Sequence, residues 1–278
     1  VNFLFLPMIR SLILLITLLF SIAQSAEAEK PTVLVSIAPY EWLVRQIAGT
    51  SVNVEVLVPP GASFHSYEPR IKQALRAGRA KLWLRLGDPA ERTALEALQN
   101  GSMKLVDLRD GLPLIGQGAS FDPHIWLSVR LIKKQAETIT SALITLLPEK
   151  EAMFVGRLQT LLEELDALDL EIEKLLNPIE PKVIVVSHPA YGYFCRDYHL
   201  IQIPIEQAGK EPSLRQLTAL SKKIQQLGVD TIFVQVQHNP KSAEVLARDL
   251  GAQVVKLDPL QKDYPTMMRK IARRFAGK

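Results

Sequence analysis

The spacing of hydrophobic positions changes along the chain, and the changes divide it. Residues 11–23 (SLILLITLLFSIA) are an unbroken apolar run. From position 31 short β-branched or alternating runs take over, each followed by a helical stretch. Thr32–Ser36 (TVLVS), Ser51–Leu57 (SVNVEVL), Lys81–Arg85 (KLWLR) and Lys104–Val106 predict strands. The second ends at the turn Pro59-Pro60-Gly61. Helical patterns run from Pro39 through Ala48, over Arg70–Gly78 and over Ala90–Gln99. Strands alternating with helices argue for a parallel sheet.

Residues 128–177 behave differently. Their only glycine is Gly156, and no strand pattern interrupts them. Pro148 divides the region into two helices. The second, Glu149 to about Leu176, repeats Leu158, Leu161, Leu162, Leu165, Leu168, Ile172, Leu175 and Leu176 at helical spacing. At about 1.5 Å per residue it spans roughly 42 Å, enough to touch and brace two lobes. Beyond Pro178 and Pro181 the alternation returns. Strands are expected at Val183–Ser187, Leu200–Ile203, Thr231–Gln235 and Gln253–Leu257. Helices are expected at Leu214–Leu227, at Ser242–Leu250 and from about Asp263. The fold class is α/β: two βα lobes with parallel four-stranded sheets, residues 29–127 and 178–278, joined by a long rigid connector at 128–177. Ligands in such sheets bind outside the carboxyl ends of the strands, which places a site in the cleft between the lobes.

The first apolar run is too short to span a bilayer comfortably, since about 20 residues are needed. Arg10 precedes it, and Ala26-Glu27-Ala28 offers small residues at a cleavage site. Residues 1–28 are therefore expected to be a signal peptide, cut after Ala28, that sends the chain to the periplasm. Met8-Ile9-Arg10 makes a better start than Val1, and translation is expected to begin there. No cysteine near the cut offers a site for lipid attachment.

Composition narrows the chemistry. The 33 basic and 29 acidic residues leave a net charge of +4, without a basic block to suggest nucleic acid. One cysteine, Cys195, excludes an intramolecular disulfide and a cysteine-based zinc cluster. A metal would have to use histidine and carboxylate. GxxxxGK[ST], HExxH and G-x-S-x-G are absent, which removes the usual signatures of an ATPase, a zinc protease and a serine hydrolase.

Three of the five histidines stand at strand–loop junctions. His65 follows the Pro59-Pro60-Gly61 turn, His124 lies in Asp122-Pro123-His124-Ile125-Trp126-Leu127, and His188 directly follows the strand 183–187. Asp258 directly follows the strand 253–257. Three imidazoles and a carboxylate suit a first-row divalent ion such as Zn²⁺. Each has an ordinary structural explanation as well. An isolated histidine is commonly a satisfied polar residue, and Asp258 before a proline also suits a turn or a helix cap. The four are too far apart in the chain for spacing to assemble them.

The segments PPGASFHSYEP, DPHIWL, SHPAYGYF and KLDPL resemble, in this order, the motif set of the metal-binding receptors of zinc/manganese ABC importers, the cluster A-I solute-binding proteins. The likeness covers essentially the whole chain after residue 28, the long connecting helix and TIFVQVQHNPKSAEVLA included. It implies that His65, His124 and His188 are ligands and Asp258 the fourth, with Glu206 or water as alternatives and Glu68 as a spare. It implies a nearly rigid monomer with no turnover, which carries Zn²⁺ or Mn²⁺ to a membrane permease driven by a separate ATPase. Many zinc-type members carry a His-rich loop before the second motif; Gly111–Asp122 here is short and has no histidine. The family often has an acid where Gln235 stands. Manganese-type members tend to place a carboxylate where His188 falls, so the third imidazole favours zinc. A secreted zinc hydrolase and a surface adhesin on the same fold are the rival readings. His199, His238, Cys195 and the three tryptophans are expected to be structural.

Overall fold

The computed structural model describes residues 29–98, 102–116, 121–180, 182–206 and 210–278. The signal peptide expected at 1–28, its cleavage site and the alternative start lie outside the described residues. Thr32–Lys278 form one compact unit.

Its first half runs β1 (Thr32–Val35), α1 (Ala38–Ala48), β2 (Asn53–Val56), α2 (Ile71–Ala77), β3 (Leu82–Arg85), α3 (Pro89–Leu98) and β4 (Lys104–Asp107). Two helices follow, α4 (Val129–Leu146) and α5 (Glu151–Leu176). The second half runs β5 (Val183–Val186), α6 (Gly192–Asp197), β6 (Ile201–Pro204), α7 (Leu214–Gln226), β7 (Thr231–Gln235), α8 (Lys241–Leu250), β8 (Gln253–Leu257) and α9 (Tyr264–Phe275). The first sheet has the order β2-β1-β3-β4 and the second β6-β5-β7-β8. Every pairing in both is parallel. Each order reverses direction beside its central strand, β1 or β5. That is the point at which open α/β sheets leave a crevice at their strand ends.

The central strands form where β-branched and aliphatic residues run without interruption, because both faces of a parallel sheet are covered there. Val33, Leu34 and Val35 of β1 and Ile184, Val185 and Val186 of β5 are buried accordingly. The short helix α6 buries Tyr193, Phe194 and Cys195, the apolar helix face expected there, although its six residues are too few to show a full helical period. Pattern reading starts the long helix early. Pro148–Lys150 form a separate 3₁₀ turn, and α5 begins at Glu151. Its 26 residues extend about 39 Å.

That helix packs on α1 of the first lobe and on α9 of the second. Phe154, Leu161, Leu165, Leu168, Ile172 and Leu176 line its buried face. They belong to one continuous core that also holds Val33 and Tyr40 from one lobe and Val186 and Met267 from the other. Each lobe keeps a smaller outer core of its own, around Trp83 in the first and Ile232 in the second. Polar contacts reinforce the join. Trp126 Nε1 donates to Pro259 O (2.8 Å), and Tyr264 OH donates to Trp126 O (2.9 Å). Tyr193 OH donates to Asp122 O (2.9 Å) and accepts from Ile115 N (3.0 Å). Ser128 both caps α4, accepting from Leu131 N, and donates to the buried Asp197.

Because one core serves both lobes, Leu165→Ala is expected to cost about 2–5 kcal/mol. In a urea titration both lobes should still unfold in a single transition. Leu170→Ala on the exposed face of the same helix should change stability by less than about 0.5 kcal/mol.

Candidate metal centre

His188 is positioned by the end of the second sheet. It follows Ser187, whose N–H donates to Phe233 O of β7 (2.8 Å) and whose carbonyl accepts from Glu206 N after β6 (3.0 Å). Its own carbonyl accepts from Ala190 N (2.8 Å). His124 is held by its own motif. Asp122 Oδ1 accepts both the His124 backbone N–H (2.9 Å) and its ring Nδ1–H (2.6 Å). Pro123 between them fixes the bend. Ile125–Leu127 then turn into a 3₁₀ segment with all three side chains buried. His65 lies in another 3₁₀ turn, Phe64–Ser66. Phe64 is buried edge-on to Trp126 at 6.0 Å.

These three segments come from different parts of the chain, and their rings meet. His65 Nε2 and His124 Nε2 are 3.0 Å apart, and His188 Nε2 and His124 Nε2 are 3.2 Å apart. The opposite edge of each ring faces a carboxylate. His65 Nδ1 meets Asp88 (2.6 Å), His124 Nδ1 meets Asp122 (2.6 Å) and His188 Nδ1 meets Glu206 (2.8 Å). An ionised carboxylate only accepts, so each Nδ1 carries the hydrogen. In a neutral ring that leaves a lone pair on Nε2. Three lone pairs then point into one small space, an arrangement that repels itself until a cation fills it. Ligands of a tetrahedral ion at 2.0–2.1 Å are about 3.3 Å apart, close to the separations found here. Carboxylates behind ligating imidazoles fix the ring orientation and strengthen the donor.

Electrostatics agree. Burial is the largest influence on His124 and lowers its pKa to about 4, against the opposing pull of Asp122. Burial likewise lowers His188, with Glu206 opposing. Burial would raise Glu206, but the hydrogen bond from His188 and the nearness of His238 outweigh it and bring it down to about 2. At neutral pH His124 and His188 are therefore uncharged and ready to ligate.

The supports are built in turn. Asp88 is buried and also accepts Ala90 N–H (2.8 Å) at the start of α3. Gly87, at φ +76°, makes the turn before it, a conformation that disfavours a side chain. Buried Glu91 gathers the N–H groups of Leu86 (2.8 Å) and Gly87 (2.7 Å), with Ser36 Oγ donating to it as well. Burial raises its pKa, while these bonds work the other way.

Asp258 does not join the donor cluster formed by His65, His124 and His188. Its Oδ1 accepts from Gln237 Nε2 (2.5 Å) and from Leu260 N (3.0 Å). Glu206 lies on the Nδ1 edge of His188, away from the converging Nε2 atoms. Glu68 is exposed. The residues that pattern reading passed over are Asp88 and Asp122 as ring supports, and His238, which stacks on His188 at 4.2 Å and 25°. Asp88 and His238 each follow the end of a strand, so the rule that drew attention to His188 could have found them too. His199, by contrast, is an exposed turn residue at φ +58°. Cys195 is a buried free thiol, with its pKa pushed up to about 12 by burial.

The family profile "Zinc-uptake complex component A periplasmic" (ZnuA) matches residues 33–277. The chain belongs to the ZnuA family. A solved ZnuA structure shares 36% identity at a TM-score of 0.86, over 89% of this chain and 98% of that one. A ZnuA deletion mutant solved with zinc bound gives 36% and 0.84, over 88% and 96%. A Chlamydia trachomatis (serovar D) protein, provisionally named for metal binding, is 32% identical over 95% of this chain and 99% of its own length. The periplasmic zinc-binding protein TroA of Treponema pallidum, at 24% identity and a TM-score of 0.81 over 89% and 98%, shares the fold. Membership of the ZnuA family places the chain among metal-binding solute receptors.

Two outcomes are expected of the histidine cluster. Asp122→Asn should weaken zinc binding about 10- to 100-fold in a competition titration, with the support for His124 impaired. The metal-free protein should also lose stability in acid. A base whose folded pKa is depressed contributes stability that is present above its unfolded value and lost as pH falls toward the folded one. For His124 the window runs from the unfolded value of 6.5 down to about 4. The loss amounts to about 3 kcal/mol, measurable by urea unfolding at both pH values and reduced in His124→Gln.

Proposed function

We propose that this protein is a periplasmic receptor that captures a divalent transition metal, Zn²⁺ before Mn²⁺ or iron, and delivers it to the membrane permease of an ABC importer with a separate ATPase. The observation that carries the reading is the convergence of three Nε2 atoms, each ring held from behind by a carboxylate. Imidazole suits zinc, whereas manganese prefers oxygen donors. The ion is cargo, held by His65, His124 and His188.

Asp258 is the fourth ligand in this reading. Both hydrogen bonds described above fall on its Oδ1, which leaves Oδ2 as the oxygen to offer an ion. Water is the alternative. Glu206 is less suited, because it is already engaged on the far edge of His188. The protein acts without turnover. Asp88 and Asp122 are committed to ring nitrogens and Glu206 lies on the far edge of His188, so none of them stands as a base beside the ion held by the three histidines.

Residues 1–28 act as the export signal, and the chain works as a monomer. Residues 29–127 and 178–278 are the two lobes, and 128–177 is the brace between them. The core shared through α5 and the bond from Trp126 to Pro259 oppose a wide hinge. Release then comes from shifts of the loops around His65 or His124. The cavity needs deprotonated donors, so affinity falls as protons compete for imidazole in acid.

Equilibrium dialysis against equal free Zn²⁺ and Mn²⁺ tests the reading. One zinc per chain is expected, with manganese largely excluded and most of the zinc lost in His188→Ala. Preferential manganese would overturn the choice of cargo. No stoichiometric metal would overturn the receptor reading itself.

A further inference from the structure

His238 and Glu206 form a second group of donors beside His188. Glu206 is shared. Its Oε2 accepts from His188 Nδ1 at 2.8 Å, and its Oε1 lies 3.5 Å from His238 Nδ1. The first separation is that of a hydrogen bond. The second is longer than the 2.7–3.2 Å typical of one, and close to the roughly 3.3 Å between two ligands of one zinc ion.

The pair is held in place by the second sheet. Glu206 follows β6, with its N–H on Ser187 O (3.0 Å). His238 closes the turn after β7, with its N–H on Gln235 O (3.1 Å). The rings of His238 and His188 stack at 4.2 Å. The side chains of His238 and Glu206 are 17% and 13% exposed, within the range of the three converging rings, from 6% for His124 to 28% for His65. Water can therefore reach the pair, as it reaches the main centre on its His65 side. An imidazole and a carboxylate are the donor types that zinc accepts, with water to complete the shell.

We propose that Glu206 Oε1 and His238 Nδ1 form a second, weaker site for a divalent zinc-like ion. The ion waits there beside the three-histidine centre. Glu206 Oε2 keeps its hydrogen bond to His188, so both positions can be filled at once. Two protein ligands against three or four, and repulsion from the neighbouring ion, make the second site the weaker. Through this site a cation is gathered next to the main centre and can enter as that centre empties. The proposal rests on the receptor reading only in taking the three histidines as the stronger site.

The test is a titration of the protein with Zn²⁺ alone, read as bound ions per chain, and with Co²⁺ as a visible probe. The protein should bind one ion tightly and a second more weakly. His238→Ala and His238→Gln should keep one ion per chain and lose the second. His65→Ala should lose or weaken the tight ion and still bind at the other site. Saturation of the unaltered protein at one ion, however high the free zinc, would overturn the second site. So would a second ion that persists undiminished in both His238 variants, since it would then sit elsewhere. If His65→Ala leaves the tight ion untouched, the three-histidine reading fails instead, whatever becomes of the second ion.

Discussion

Three imidazole lone pairs aimed at one point are unstable together without a positive charge. This constraint organises the rest of the molecule. Asp88, Asp122 and Glu206 each take an Nδ1 hydrogen and so force a lone pair onto each Nε2. Burial keeps His124 and His188 uncharged at neutral pH. A centre of this kind suits a cation that accepts nitrogen donors. Its selectivity is set by the direction of three hydrogen bonds as much as by the ligands themselves.

Such a centre must be held stiffly, because the three rings come from segments far apart in sequence. The fold meets this need with two sheets of the same order, each presenting its strand ends to the centre. The helix α5 runs through a core that both lobes share. Trp126, two residues past His124, bonds to Pro259, one residue past Asp258. The loop that carries a histidine from one half of the chain is thus tied to the loop that carries a carboxylate from the other. Stiffness of this kind suits a carrier that must keep its donors close together between uptake and release.

The polar groups near the centre are layered. Innermost are the Nε2 atoms, then the carboxylates, then the groups that hold the carboxylates. Glu91 fixes the Leu86–Gly87 turn ahead of Asp88, and Asp122 grips both the ring and the backbone of His124. Glu206 differs from the other two supports because its second oxygen faces another imidazole. One carboxylate thus stands between two rings, His188 and His238.

Much of this was legible in the chain. Short β-branched, aliphatic or alternating runs placed all eight strands to within about two residues, and the central ones are apolar because both their faces are covered. The leucine period marked the long helix, and Pro148 marked its near end. The histidines at strand ends were visible as candidates, and family resemblance of four ordered segments named the chemistry. What the chain could not show was distance. Asp88 and His65 are 23 positions apart and share a hydrogen; His124 and His188 are 64 apart and nearly touch. His238 read as an ordinary loop residue until the end of β7 brought it against His188. Asp258, which motif order placed among the ligands, accepts from Gln237 and Leu260 through Oδ1, bonds that no local pattern foretold. Local sequence determines which residues can donate, because periodicity and turn chemistry act over a few positions. Which donors share one ion is decided by tertiary packing, because side chains meet only after sheets, core and connecting helix have fixed where the strands end.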